Sequence, residues 1–297
     1  MTPSRKFPQV DHAEAAGELK EIYGDMQATL RVGWVAFACR VLATFPAYLP
    51  LAWRAARPNF ATRYAERAAD ELRALALLPG SPPPDPRPEL RGLGWDEARV
   101  DEVRGALDVL NYGNAKYMLL LAAWAEEIQG RSSGGADLSP EDAAPIPYGA
   151  TEGAGSLRLV DPDEASPEVQ ELFERVTDSH FHHGPSSDYR VLAAWPEYLR
   201  VALDEALEPV VRTDEYDAVA RALLMRAREL ARGFPAPAGI GPEALADSCS
   251  PSEIAGLTGL LFMYQRFICD VTIDMIRLKQ ALDGPEAAAA SPFPIPY

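Results

Sequence analysis

Residues 190–199, RVLAAWPEYL, decide the fold, because residues 40–49, RVLATFPAYL, nearly repeat them 150 positions earlier. The same offset aligns the Val-Asp pair at residues 10–11 with the Val-Asp pair at residues 160–161. Several separated matches at one offset, without a gap, indicate that the second half of the chain repeats the first. The period is too long for a solenoid repeat.

The repeated pattern is helical. Apolar residues recur at helical spacing through residues 8–30. Asp96 is placed to cap a long helix, and residues 97–128 correspond to residues 251–282. The Gly-, Ser- and Pro-rich residues 131–156 have no periodicity and are typical of a linker. The sequence therefore predicts an all-α fold.

We expect two homologous helical repeats, residues 1–130 and 157–297, on either side of the linker 131–156. The two repeats would form a pseudo-twofold dimer within one chain. An active site between the repeats is expected, because clefts form where two packed units meet.

Composition excludes several classes of function. The 44 acidic and 28 basic residues give a net charge of −16, which argues against binding nucleic acid or an anionic membrane. Three widely spaced cysteines form no CxxC pair, so neither a thiol redox centre nor a zinc knuckle is indicated. Residues 1–30 lack the apolar core of a signal peptide, and we expect a cytoplasmic protein.

The stretch FHHGPSSDYR, residues 181–190, reads as a loop that opens a helix. Ser186 or Ser187 is a natural N-cap, which places Asp188 in the first helical turn beside unpaired N–H groups. That setting favours an ionised carboxylate, which could orient and deprotonate a water molecule. From the local sequence alone, Asp188 could instead be only a helix-start residue. In the first repeat Ala38 stands at its position, so a shared pocket would have one base and one apolar wall.

Residues 111–117, NYGNAKY, break an otherwise strong helical pattern with two Asn and a Gly. They indicate either a functional site or a helix junction capped by Asn111. Residues 264–268, YQRFI, read by themselves as core with a polar edge. The adjacent His182 and His183 point apart and have no nearby ligand set, so no metal site is predicted. No phosphate-binding glycine motif and no G-x-S-x-G motif is present.

Several segments together resemble the group I 2-haloacid dehalogenases, the non-stereospecific and D-specific family. They are FPQVDHAEAAGELKEIYGDM, TLRVGWVAFACRVLATFPAYLPLAWR, LNYGNAKYMLLL, HFHHGPSSDY, AGLTGLLFMYQRFI and the ending SPFPIPY. The resemblance covers nearly the whole chain. It implies an all-α pseudo-dimer with the site between the repeats, a homodimer, and no metal or organic cofactor.

The resemblance also implies roles for individual residues. Asp188 would be the general base, and Asn114 would help hold a water molecule that attacks the halogen-bearing carbon directly, without an ester intermediate. Short-chain 2-haloalkanoic acids would give 2-hydroxy acids with inversion. Ser187 would lie near the substrate carboxylate, and the small Ser186 accompanies use of both the D and L enantiomers. The implied pocket-lining residues are Trp34, Phe37, Tyr117, Tyr264 and Ile268.

Two other interpretations remain open from the sequence. The same Asp188 base could serve a hydrolase that acts on another α-substituted acid. Alternatively, the chain could be a non-catalytic all-α binding module for small carboxylates, in which case Asp188 would tolerate replacement by Asn.

Overall fold

The structure, a computed structural model, describes residues 7–155 and 157–295. Within these ranges the regular structure is helical, and the only β-type pairing is an isolated bridge between Thr62 and Pro145. The prediction of an all-α fold is confirmed. The helices are α1 Gly17–Leu30, α2 Phe37–Leu42, α3 Tyr48–Phe60, α4 Arg63–Leu75, α5 Arg87–Gly92, α6 Glu97–Ile128, α7 Pro167–His180, α8 Ser187–Leu192, α9 Pro196–Val201, a π-helical turn Ala202–Leu207, α10 Asp214–Arg232, α11 Pro242–Ala246 and α12 Pro251–Ala289.

Side-chain caps fix several helix starts. The Asp96 carboxylate accepts the backbone N–H of Arg99 at 3.0 Å, as expected for the cap of α6. A capping box at Ser250 and Glu253 begins α12. The first helix is shorter than predicted, because α1 begins at Gly17 and not at residue 8. The residues before it run alongside α2, where the N–H of Val10 donates to the carbonyl of Arg40 at 3.0 Å.

The helix bounds follow the offset of 150 residues. Helices α7 and α8 begin and end 150 positions after α1 and α2. Both α1 and α7 end at a left-handed residue, Arg31 with φ 60° and Phe181 with φ 53°. The π-helical turn after α9 has no such counterpart in the first half, where α3 continues instead to Phe60.

Two hydrophobic clusters form the core, and each draws on both halves of the sequence. The first cluster joins α1–α4 to the second half of α6, to α10 and to residues of α12 that include Leu257 and Ile276. The second joins α7–α9 to the first half of α6 and the second half of α12. The long helices α6 and α12 therefore pass through both clusters and hold the halves together. The boundaries at residues 130 and 157 remain a prediction about the sequence repeats.

By length and composition alone, α12 could cross a membrane. Core helices of globular proteins pass the same test. Every residue from Cys269 to Leu282 is buried, and these residues pack against α6 and the π-helical turn. The second part of α12 is therefore a core helix, whereas the first part, residues 251–263, includes exposed residues such as Phe262.

Candidate active site

A cavity of about 210 Å³ lies where α2, α6, α8 and α12 meet. Its volume is below the roughly 300–1,000 Å³ of pockets for drug-sized ligands, so it suits a small molecule. All nine residues predicted for the site line this one cavity. They are Trp34, Phe37, Asn114, Tyr117, Ser186, Ser187, Asp188, Tyr264 and Ile268.

Asp188 is the second residue of α8, and only 4% of its surface is exposed. Asn114 Nδ2, on α6, donates to Asp188 Oδ1 at 2.6 Å. Ser186 stands at the N-cap position, but its hydroxyl makes no cap hydrogen bond and donates to Asp188 Oδ2 at 3.2 Å instead. Each carboxylate oxygen thus has one side-chain donor from the protein and further lone pairs for a ligand.

Burial raises the pKa of Asp188 from 3.8 to about 6, because a carboxylate loses hydration in this environment. The hydrogen bonds from Asn114, from the backbone N–H of Asp188 and from Ser186 favour the charged form and lower the pKa, but they offset only part of the effect of burial. Desolvation, rather than the helix start, therefore dominates the titration of this group. At pH 7 the carboxylate is still mostly ionised and is a stronger base than an exposed Asp.

The interpretation of Asn111 as the cap of a new helix is wrong, because α6 runs without a break from Glu97 to Ile128. The side chain of Asn111 instead donates to the carbonyl of Met275 at 3.2 Å and links α6 to α12. Gly113 is explained by close packing, since a Cβ at this position would lie 2.6 Å from Trp34 Cζ2. Glycine therefore lets the indole ring approach α6 beside Asn114.

Aromatic rings form much of the rest of the wall. The rings of Trp34 and Tyr117 have centroids 4.9 Å apart, and the Tyr117 hydroxyl donates to the carbonyl of Trp34 at 2.7 Å. Phe37 and Tyr264 pack edge to face with centroids 5.9 Å apart. Residues 264–268 therefore do not only pack in the core, because Tyr264 and Ile268 both line the cavity.

The polar residues of the site come from one side of the cavity. At the offset of 150, Asp188 corresponds to Ala38, and both residues line the cavity. With residues 97–128 aligned to 251–282, Asn114 corresponds to Ile268. Helices α6 and α8 thus supply the carboxylate and the amide, whereas α2 and α12 supply apolar side chains at the matching positions.

The sequence reasoning missed several lining residues. His182 and His183 were considered only as metal ligands, although both line the cavity. The described residues contain no group of three or more His, Cys, Asp and Glu side chains that could hold a metal ion. His182 Nε2 lies 3.3 Å from Asp270 Oδ2 on α12. Because five of the missed residues lie within residues 181–190, proximity to Asp188 was the available signal. The missed residues are Phe7, Gln9, Ala36, Leu121, Asp161, Pro162, Asp163, His182, His183, Gly184, Pro185, Arg190, Phe267 and Val271.

Comparison with known proteins identifies the family. The family model described as "Halocarboxylic acid dehydrogenase DehI" matches residues 33–184. A protein of Alcaligenes xylosoxydans xylosoxydans, named "2-haloacid dehalogenase, configuration-inverting", is 52% identical over 296 residues, which are 99% of this chain and 100% of the relative. A protein of the same name from Pseudomonas sp. (strain 113) is 46% identical over 97% of this chain and 95% of its own length. A solved D-2-haloacid dehalogenase in complex with L-LA superposes with a TM-score of 0.87 at 26% identity, over 93% of this chain and 97% of that structure.

Proposed function

Because the chain belongs to the DehI family and is a 2-haloacid dehalogenase, we propose that Asp188 activates a water molecule for direct attack on the halogen-bearing carbon. The substrates would be short-chain 2-haloalkanoic acids, which suit a cavity of about 210 Å³. The alternative of a non-catalytic binding module is set aside, since relatives that match along the full chain are named as enzymes.

One contact carries the mechanistic proposal: the hydrogen bond from Asn114 Nδ2 to Asp188 Oδ1. This bond fixes the orientation of the amide, because the amide oxygen would be repelled by the carboxylate. Asn114 Oδ1 is buried and has no hydrogen-bond partner among the described residues. A water molecule that donated one proton to Asn114 Oδ1 and the other to Asp188 would satisfy that oxygen and point a lone pair into the cavity.

The proposed reaction proceeds in one displacement. The water oxygen bonds to C2 while the C2–halogen bond breaks and its electron pair leaves with the halide. Asp188 takes the proton from the attacking water and later releases it to solvent. Attack opposite the leaving group inverts C2 and gives the 2-hydroxy acid. A positioned base contributes typically 10²–10⁴-fold, and alignment in a site that excludes bulk water adds to this.

The proposal assigns the other lining residues by position. Ser187, the first residue of α8, would contact the substrate carboxylate, and the aromatic wall would surround the halogen and the alkyl group. Ser186 is small and hydrogen-bonded to Asp188, so it leaves room for either arrangement of substituents at C2. We therefore propose that both the D and the L enantiomers are substrates.

Three features of the molecule are also part of the proposal. The shared bounds of α1 with α7 and of α2 with α8 support two homologous repeats that form a pseudo-twofold dimer around the cavity. Resemblance to the family supports a homodimer in solution and catalysis that needs no cofactor. The acidic composition and the three unpaired cysteines support a cytoplasmic location.

The test is halide release from D- and L-2-chloropropionate by the wild-type protein and by Asp188→Asn. We expect release of chloride from both enantiomers, each with inversion to lactate, and no turnover by the variant. Near-normal turnover by Asp188→Asn would disprove the assigned base. Release from the D enantiomer alone would retain the mechanism and disprove the role given to Ser186.

A further inference from the structure

We infer that Arg190 is a substrate-recognition residue, whose guanidinium at the mouth of the cavity attracts and holds the carboxylate of the incoming 2-haloacid. The inference rests on the proposed function, namely that this cavity is the haloacid site. It concerns binding and not the chemical step, which remains with Asp188 and Asn114.

The surroundings of Arg190 hold it in place and leave part of it available. Its Nε donates to the carbonyl of Val160 at 2.9 Å, and its own carbonyl accepts the N–H of Val160 at 3.0 Å. Arg190 is half-buried and lines the cavity. Its Nη1 and Nη2 groups form no hydrogen bond or ion pair with a described residue, since the Val160 contact is the one that its side chain makes there. Two N–H-bearing groups of a fixed guanidinium are therefore free to bind a carboxylate.

The charge of the protein makes a cation at the cavity important for binding an anionic substrate. The chain carries a net charge of −16, so an anionic substrate meets a repulsive field. Burial lowers the pKa of His182 and of His183, and both imidazoles are therefore mainly neutral at pH 7. Among the described lining residues, Arg190 is the one with a permanent positive charge.

The corresponding residue in the first half shows that the role is not common to both halves. Arg40 stands 150 positions earlier, and its carbonyl likewise accepts the N–H of Val10. Its guanidinium, however, is engaged: Nε donates to Gln9 Oε1 at 2.9 Å and Nη1 to the carbonyl of Val35 at 2.9 Å. Arg40 is buried and does not line the cavity. The available arginine is therefore on α8, the helix that carries the base.

The test compares Arg190→Gln with Arg190→Lys. Gln removes the charge, whereas Lys keeps the charge and loses the planar fork that bonds to Val160. We expect Arg190→Gln to raise KM for 2-chloropropionate by about 3- to 30-fold, as for loss of a partly screened hydrogen bond to a charged group, with kcat nearly unchanged. Arg190→Lys should keep KM within about threefold of the wild-type value. Arg221→Gln, an exposed residue on α10 away from the cavity, is the control for the change in net charge.

Two further readouts separate recognition from a structural role. Raising ionic strength from about 0.01 M to about 0.3 M shrinks the Debye length from about 30 Å to under 10 Å and screens the repulsion between the acidic chain and the substrate. Because Arg190 offsets part of that repulsion, kcat/KM should rise more steeply with salt in Arg190→Gln than in the wild type or Arg190→Lys. Inhibition by propionate should weaken in Arg190→Gln, whereas inhibition by propionamide, which has no charge, should not.

The inference is overturned if Arg190→Gln leaves KM and the salt dependence unchanged, or if propionate and propionamide weaken equally. It is also overturned if the Gln and Lys variants lose activity and thermal stability alike, because the residue would then act only through its bond to Val160. A failure of the proposed function itself looks different, since the wild-type protein would release no halide or Asp188→Asn would remain active.

Discussion

Replacing Asn114 by Ala should move the acid limb of the pH–activity profile to higher pH. The base must be ionised, so kcat/KM of the wild type falls as pH drops through the pKa of Asp188, which is about 6. Asn114 Nδ2 stabilises the ionised form through the 2.6 Å bond to Oδ1. A hydrogen bond to a charged group contributes about 1.5–3 kcal/mol, which corresponds to an upward shift of roughly one to two pH units.

The assay is kcat/KM for chloride release between pH 5 and pH 9.5, measured for the wild type, Asn114→Ala and Ser186→Ala. The Ser186 hydroxyl makes a longer bond of 3.2 Å to Oδ2, so its loss should shift the limb in the same direction by less. At high pH, where Asp188 is ionised, kcat/KM of Asn114→Ala should recover the part of its decrease that is due to protonation. The part that is due to a poorly positioned water molecule should remain. An acid limb that stays in place, or moves to lower pH, would refute the assigned contact.

Three further predictions follow from particular contacts. Asp188→Asn should raise the free energy of unfolding at pH 7 by roughly 2–3 kcal/mol in denaturant, because a carboxylate whose pKa is raised from 3.8 to about 6 destabilises the folded protein as pH rises through that window. The gain should vanish below pH 4, where the carboxyl group is protonated in both states. An equal gain at pH 3 would contradict this explanation. Gly113→Ala should lower kcat/KM about tenfold or more, because the added methyl group displaces Trp34 from the cavity wall, and the protein should remain folded. Unchanged kinetics would show that the position of the indole ring does not matter for catalysis. Glu66→Gln should lower stability by about 3–5 kcal/mol in the same unfolding assay, because it leaves the buried ammonium of Lys116 without its ion-pair partner, and a loss below 1 kcal/mol would argue against that pair.

The sequence predicted the large helical elements well where one pattern ran for many residues. Periodicity and the cap at Asp96 predicted the start of α6 and helix through residues 97–128, although a junction at Asn111 stayed open, and the offset of 150 located α7 and α8. Local pattern failed where tertiary contacts decide the outcome. The residues before Gly17 look helical but pair with the backbone of α2 instead. Likewise, Gly284, which has φ 84°, kinks the end of α12 at Pro285.

The composition of the site was accessible from sequence, whereas its energetics were not. The contrast of Asp188 with Ala38 indicated a pocket with one polar side, and the structure adds the matching contrast of Asn114 with Ile268. The raised pKa of Asp188 depends on how completely the tertiary fold buries this carboxylate, which no local pattern encodes. The available guanidinium of Arg190 could not be told from the engaged one of Arg40, because the two residues have nearly the same sequence neighbours.

The central claim is that water, and not Asp188, forms the new bond to carbon. The most direct test is a single turnover in H₂¹⁸O, with enzyme in excess over 2-chloropropionate, followed by mass spectrometry of both the lactate and the peptide that contains Asp188. Direct attack predicts that the hydroxyl group of the first lactate formed carries ¹⁸O and that the peptide stays unlabelled. Unlabelled lactate together with ¹⁸O in Asp188 would show that the carboxylate attacked C2 and formed an ester, and would contradict the mechanism.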